Sequence, residues 1–458
     1  MALWQSMPAA TGSSVSGALQ DIAANIELKN LQSASSLGGR LEELRGKSVL
    51  IATEHQLEAA LALIELDGVA RRMVLCPPDL TSAHRAYAVA VSEADAAVVD
   101  LEATHAQAPG VGCSVPIESR LVPESVDRYS SHDTEWILLT SGTTGAPKLV
   151  LHTLASLTSA HSNPAPQPTT VWGTFYDIRR YGGLQILLRA LRSGSMLLSN
   201  PKEPVADFLA RARRARLTHI SGTPSHWRRV LMSGAATRID PCYVRLSGEI
   251  ADQSILDALR AAYPRAIVAH AFASTEAGVA FEVEDGLAGF PVSLIGTHAG
   301  VELGLVGGSL RIRSPGNALA YLGDEASFKD AADFVNTGDR LALRDGRYYF
   351  TGRSGGVINV GGLKVHPEEV EAVVNAHPWV HMSLVKSRRS PITGAVVTAD
   401  VVLADSTASS RRPADEMITR DIIEQCRRSL ESHKVPATVR IVPALEVSAS
   451  GKLVRPNA

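Results

Sequence analysis

Apolar and polar positions along the chain fall into short blocks whose period alternates. Ser48-Val49-Leu50-Ile51 is a short apolar run, Gln56 to Leu66 is amphipathic at helical spacing, and Arg72-Met73-Val74-Leu75 is a second apolar run. Strand, helix and strand in that order predict a βαβ unit in a parallel sheet, whose strands are covered on both faces and need no polar alternation. The alternation recurs further on. Strands are expected at Glu135 to Leu139, Ser195 to Leu198, Thr218 to Ile220 and Val244 to Leu246, and helices from about His152 to Ser162, from Pro204 to Arg216 and up to Ser233. Residues 1–45 read as a leader plus a weak helix.

From Gly296 to Phe350 the period changes to short strands separated by Gly, Pro and Asp turns, which predicts an antiparallel sub-domain or small barrel. Beyond Arg353 a compact α+β pattern follows, with helices near Pro367 to Ala376 and Asp415 to Ser432. The fold class is therefore α/β. Residues 1–354 form a large N-terminal domain of mostly parallel βα layers plus the antiparallel sub-domain, and residues 355–458 form a small α+β C-terminal domain, with the boundary at Gly355.

Composition narrows the function. A chain of 458 residues exceeds what one hydrophobic core fills. A net charge of -2 offers no excess of cations for a phosphate backbone, so nucleic acid is not an expected partner. Cys76, Cys113, Cys242 and Cys426 are scattered without metal-ligand spacing, which fits a reducing cytoplasm. The first 28 residues hold no Lys or Arg but do hold Asp21 and Glu27, unlike a secretory or transit signal. No apolar stretch approaches the ~18 residues of a membrane span.

Four segments carry candidate chemistry. In Thr140-Ser141-Gly142-Thr143-Thr144-Gly145-Ala146-Pro147-Lys148, between an apolar strand and a helical stretch, glycines let backbone N–H groups turn inward, hydroxyls add donors and Lys148 adds a compact charge. That is an anion cradle, or simply a flexible loop. It is not a Walker A loop, since Pro147 precedes the lysine and Leu149 follows it. In Phe272-Ala273-Ser274-Thr275-Glu276, after the apolar run Ala266 to Ala269, Glu276 is either a Mg²⁺ ligand or a helix cap, Thr275 can donate to a phosphate and Phe272 can offer a face to adenine. Asp339 in a Gly turn, followed by Thr351-Gly352-Arg353, can take ribose hydroxyls or be plain turn chemistry. Lys452, after Ser450-Gly451, is either a catalytic cation or a surface lysine.

Taken together and in this order, these motifs resemble the adenylate-forming superfamily of acyl-CoA synthetases, peptide-synthetase adenylation domains and firefly luciferase. The resemblance runs from about Glu135 to the C-terminus. Ser247-Gly248-Glu249 resembles the loop bordering adenine, and Ile358 to Glu371 the mobile loop and its helix. It implies that a carboxylate attacks the α-phosphorus of ATP, that pyrophosphate leaves, and that a mobile C-terminal domain then rotates to admit a thiol. By resemblance, Thr140 to Lys148 would hold the β- and γ-phosphates, Thr275 the α-phosphate and Glu276 the Mg²⁺. Asp339 and Arg353 would hold the ribose, and Lys452 would bridge carboxylate and phosphate. Gly361 and Gly362 would line a pantetheine tunnel. Two departures stand out. The segment before the phosphate loop is short for the family, and Gly355 occupies the hinge where Asp or Lys is usual.

The acyl pocket is expected along Tyr176, Asp177, Arg179, Tyr181 and Gly182. Asp177 can pair a substrate ammonium, or form a loop ion pair with Arg179 of little energetic weight. The acceptor is coenzyme A or the phosphopantetheine of a separate acyl carrier protein, because only six residues follow Lys452. A non-catalytic nucleotide-binding relative is the contrasting class, and it would be expected to lose Glu276 or Lys452 first.

Overall fold

The computed structural model describes residues 2–7, 17–101, 110–123, 129–140, 145–161, 169–200, 202–324, 328–353, 355–390, 394–404 and 412–455. Two large sheets form the N-terminal part. In the first, the strands Ile267–Ser274, Tyr243–Ser247, His219–Gly222, Val171–Thr174, Ser195–Leu197 and Ala18–Gln20 run parallel side by side, and Gly278–Val283 and Asn25–Glu27 close the edges antiparallel. In the second, Glu135–Thr140, Arg72–Leu75, Ser48–Ile51, Ala96–Asp100 and Cys113–Ile117 are parallel, with Lys148–Thr153 and Ala320–Leu322 added antiparallel.

The helices Gln56–Leu66 and Tyr181–Ser193 contribute most of their apolar residues to one core. The first is buried almost all round. Its fully buried Glu65 is tolerated because Ser35 Oγ, Ser36 N and Ser36 Oγ all donate to it.

The reading of residues 1–45 as a leader is overturned. Leu3, Leu19, Leu28, Leu31, Leu37, Leu41 and Leu44 are at most 1% exposed and belong to that core. Leu19 sits opposite Met196 in the parallel sheet. Spacing hid this, because the leucines are spread over a single helical turn, a short strand, 3-10 turns and a bend rather than on one helix. The expected His152–Ser162 helix is also shorter, covering Leu154–Thr158 only. The residues before it, Lys148–Thr153, pair with Glu135–Thr140 as a hairpin.

As expected, an antiparallel sheet follows, built from Phe290–Pro291, Gly296–His298, Val301–Val306, Ser309–Arg313, Val335–Arg344 and Arg347–Arg353 around its own aromatic core. After residue 355 come the hairpin Ile358–Val360/Leu363–Val365, the helix Pro367–Asn375, the strands Val380–Ser390 and Gly394–Leu403, the helix Asp415–Ser429 and the strand Thr438–Ile441. These share a separate apolar cluster.

Candidate active site

The C-terminal tail reaches back onto the N-terminal part. Ser448 to Lys452 closes a turn through Ser448 N to Lys452 O and Gly451 N to Ser448 O, both 2.8 Å. Gly451 has φ +76°, and a Cβ there would fall 1.8 Å from His226 Cε1, so only glycine fits this seat. Thr223 Oγ1 donates to Gly451 O. Glu249 spans the junction. One of its oxygens accepts from Leu453 N and the other from Ser225 N at the start of the Pro224–Met232 helix, each at 2.9 Å.

Lys452 is thereby held beside Gly248, its Cε 3.4 Å from where a Cβ on that glycine would stand. It lies in a cleft that solvent still reaches, with protein around most of the side chain. That burial lowers its pKa, and the nearby Arg353 lowers it further, against the carboxylates of Glu249, Asp339 and Glu276. Three carboxylates and one guanidinium thus bear on this one cation.

Glu276 follows the strand Ile267–Ser274. Its Oε1 accepts from Tyr321 Oη at 3.1 Å, and among the described residues it has no ion pair. Tyr321 is on Ala320–Leu322, which pairs with Lys148–Thr153, and Lys148 Nζ lies 4.3 Å from the Tyr321 ring centroid. Strand pairing thus brings the cradle's lysine and the carboxylate to one aromatic ring. Thr275 is fixed through its carbonyl, 2.7 Å from His152 Nε2. Burial lowers the His152 pKa to about 4, so the ring is neutral. Thr140 and Lys148 are opposite each other where the hairpin opens, so the cradle joins two strands and does not open a helix. Hydrogen bonding between the strands, rather than a helix N-terminus, sets its base. Gly145 is exposed in that loop, while Ser141, Gly142, Thr143 and Thr144 lie outside the described residues.

Asp339 is not in a simple turn. It sits on the strand Val335–Arg344, after Gly338 at φ +72°, directly opposite Arg353. Arg353 Nε donates to its Oδ1 at 3.1 Å, while Oδ2 is buried without a partner. An orphaned acceptor costs free energy unless a donor arrives, and a ribose hydroxyl is such a donor. The Phe272 ring lies 9° from parallel with Phe350 at 5.3 Å and packs in the aromatic core. Ala273 is partly buried, and Ser274 Oγ accepts from Ala277 N at 3.0 Å, shaping the turn into Glu276.

The expected acyl-pocket residues divide. Tyr176 is buried, its hydroxyl donating to Ser247 O at 2.7 Å, its ring edge-on to His226 and 3.6 Å from where a Cβ on Gly182 would be. Tyr181 begins the Tyr181–Ser193 helix and is buried against the same sheet. Asp177 and Arg179 are a correction. Arg179, 1% exposed, donates Nε and Nη2 to Asp177 at 2.8 and 2.6 Å, and the Thr53 and Glu54 carbonyls take the rest of its donors. The pair is a buried clamp onto the Ser48–Ile51 strand end, neither a loop ion pair of little weight nor free for a substrate. Gly361 and Gly362, at φ +58° and +91°, form the exposed tip of their hairpin and are not brought to Lys452. Gly355 is exposed with nothing within 4 Å of a Cβ.

Sequence reasoning missed Tyr321, His152, Thr223 and His226, which position the motif residues, and Arg245, a charge in the otherwise apolar strand Tyr243–Ser247. That misplaced charge was the available signal.

Comparison with known proteins fits this geometry. The AMP-binding enzyme family model matches residues 31–322, and the AMP-binding enzyme C-terminal domain model matches residues 369–452. A 2-succinylbenzoate–CoA ligase from Bacillus licheniformis is 26% identical over 455 residues, covering 92% of each chain. Among solved structures, the anthranilate CoA ligase AuaEII with anthranoyl-AMP superposes with a TM-score of 0.80 at 18% identity, covering 99% of this chain and 95% of that one. The Bacillus subtilis o-succinylbenzoate CoA synthetase with its acyl-adenylate gives 0.75 at 19%, covering 99% and 97%. The matched span, the shared two-sheet fold and the converging motifs agree: the chain belongs to the AMP-binding enzyme family.

Proposed function

We propose that the protein activates a carboxylic acid with ATP and passes the acyl group to a thiol. The acid's carboxylate oxygen attacks the α-phosphorus, the bond to the β-phosphate breaks and pyrophosphate leaves. The thiol sulfur then attacks the acyl carbon and AMP departs, giving an acyl thioester. Coenzyme A is the acceptor we favour, because the relatives of the preceding comparison are named as CoA ligases. The phosphopantetheine of a separate carrier protein is the other thiol of the same chemistry.

The observation that carries this reading is the convergence at Lys452. Glu249, Asp339, Arg353 and Glu276 come from distant points of the sequence, and their charges all bear on its ammonium. In this reading Lys452 opposes charge on the attacking carboxylate and the phosphoryl oxygens. Lys148 and the 140–145 loop take the outer phosphates, Thr275 the α-phosphate, Asp339 and Arg353 the ribose, and Ser247 to Glu249 with Phe272 to Ser274 the nucleotide's base side. Among the described residues no group of three or more His, Cys, Asp or Glu forms a metal site. Glu276, its second oxygen without a cation, suits Mg²⁺, which takes one or two carboxylates along with substrate phosphates and water. When bound, the ion would neutralise phosphate charge.

We take residues 1–354 and 355–458 as the two units that change orientation about Gly355, with Gly361 and Gly362 lining the thiol path in the second orientation. Their separate apolar clusters support this. All four cysteines are free, which suits the cytoplasm, and among the described residues no helix is long and apolar enough to cross a membrane. The test is ATP–pyrophosphate exchange across aryl, fatty, dicarboxylic and amino acids. Exchange that requires acid and Mg²⁺ supports the reading, and release of ADP and phosphate in place of AMP and pyrophosphate overturns it.

A further inference from the structure

Where the Tyr181–Ser193 helix covers the parallel sheet, a polar patch stands in place of apolar core. Arg245, 3% exposed, lies two residues before Ser247 on the same strand and so on the same face. Its Nε donates to Glu282 Oε2 at 2.8 Å, and Tyr243 Oη also donates to Glu282, but its Nη2 is buried with no partner. Across from it the helix presents Gln185 and Arg189, four residues apart on one stripe with Tyr181. Arg189 Nε is likewise buried and unpartnered, and so is Nδ1 of His161, whose Nε2 meets Gln185 Oε1 at 2.9 Å. Opposite Arg245 and Ser247 the neighbouring strand carries only methyl groups, Ala269 and Ala271, so no larger side chain stands across from them there.

Such an arrangement is costly as it stands. Two guanidinium groups repel each other, with Glu282 as the shared counter-charge, and the pKa of Arg189 is lowered by burial and by Arg245. Buried charges of one sign with unmet donors are tolerated where a ligand supplies the missing acceptor. Two to three residues separate Arg245 from Ser247 and Gly248, a rise of roughly 7–10 Å at strand spacing.

We propose that the acid activated by this protein carries a second anionic group, held by Arg245 and Arg189 with His161 beside them, roughly 7–10 Å from the carboxylate that is adenylated. The proposal rests on the acid-activating reading. Two carboxylates on an aryl or short alkyl frame match that separation. A fatty acid leaves Arg245 Nη2 and Arg189 Nε without an acceptor.

Pyrophosphate exchange with dicarboxylic acids, each beside its distal methyl ester, tests this. We expect kcat/KM at least ~30-fold higher for the free dicarboxylate, carried mainly by KM because the distal group does not react. Arg189→Met should bring the ratio below ~3, chiefly by loss with the free dicarboxylate, and Arg189→Lys should keep part of the preference. Since Arg189 Nε binds no described residue, its loss should not unfold the chain, and the ester rate of the variant reports that directly. Equal or better exchange with the esters, or a ratio that Arg189→Met leaves intact, overturns the inference while the adenylation reading stands. No exchange with any acid, in folded protein, ends both.

Discussion

Lys452 reaches the site at the end of the five-residue turn that starts at Ser448, and its ammonium is the group on which the first half-reaction depends most. A well-placed donor to developing charge lowers a barrier by roughly 3–4 kcal/mol, so Lys452→Ala should slow adenylation by about 100- to 1000-fold. Thioester formation from supplied acyl-adenylate should stay near wild type, as single-turnover assays of each half would show. The lowered pKa has its own signature. The charged form is the active one and is lost as pH rises, so the alkaline fall in adenylation should begin below the ordinary lysine value of 10.5. In Lys452→Arg, whose cation does not titrate there, any residual activity should lack that limb. Lys452, Glu276 and Asp339 were legible in the sequence because each stands in a short glycine-marked segment with few reasons to carry charge. Arg189 and Tyr321 were not. One reads as the solvated side of a helix, the other as a strand tyrosine, and only packing against Arg245 or Glu276 gives them meaning.

Among the elements, the hairpin Ile358–Val360/Leu363–Val365 offers the sharpest contrast with the Lys452 turn. Both depend on left-handed glycines, but Gly451 is pressed against His226 and Gly361 stands in the open. Gly361→Leu therefore costs only the backbone strain of φ +58°, about 1–2 kcal/mol, in a domain with its own core. Pyrophosphate exchange should continue while acyl transfer to the thiol falls at least ~10-fold, a loss of about 1.4 kcal/mol or more. Equal losses in both halves would point to a fixed, single-state site. Parallel βα layers and the antiparallel sub-domain were readable from period alone, since each strand is a short apolar run between helical or turn segments. The Lys148–Thr153 strand was not. Its Leu149, Val150 and Leu151 precede a helix start at Thr153, and nothing local separates strand from first helical turn until Glu135–Thr140 pairs with it.

Across the whole molecule the two parts meet through a few polar contacts. Arg228 Nη1 donates to His381 O at 2.7 Å, Asn375 Nδ2 to Asp252 Oδ2 at 3.0 Å, and Glu249 and Thr223 hold the tail. No sequence pattern announces such contacts, because each joins residues more than a hundred positions apart. The grip of Glu249 and Thr223 is on main-chain atoms, Leu453 N and Gly451 O, so at 453 it does not depend on side-chain identity, whereas 451 must be glycine to clear His226. Replacing Leu453 by alanine should leave adenylation nearly unchanged. Leu453→Pro, which deletes the N–H that Glu249 receives from the tail, should unseat Lys452 and slow adenylation at least ~10-fold, with transfer from preformed acyl-adenylate spared. Position 453 is thus free to drift in composition up to the one chemical change that removes a peptide hydrogen, while its neighbours Gly451 and Lys452 are each fixed, one by space and the other by charge.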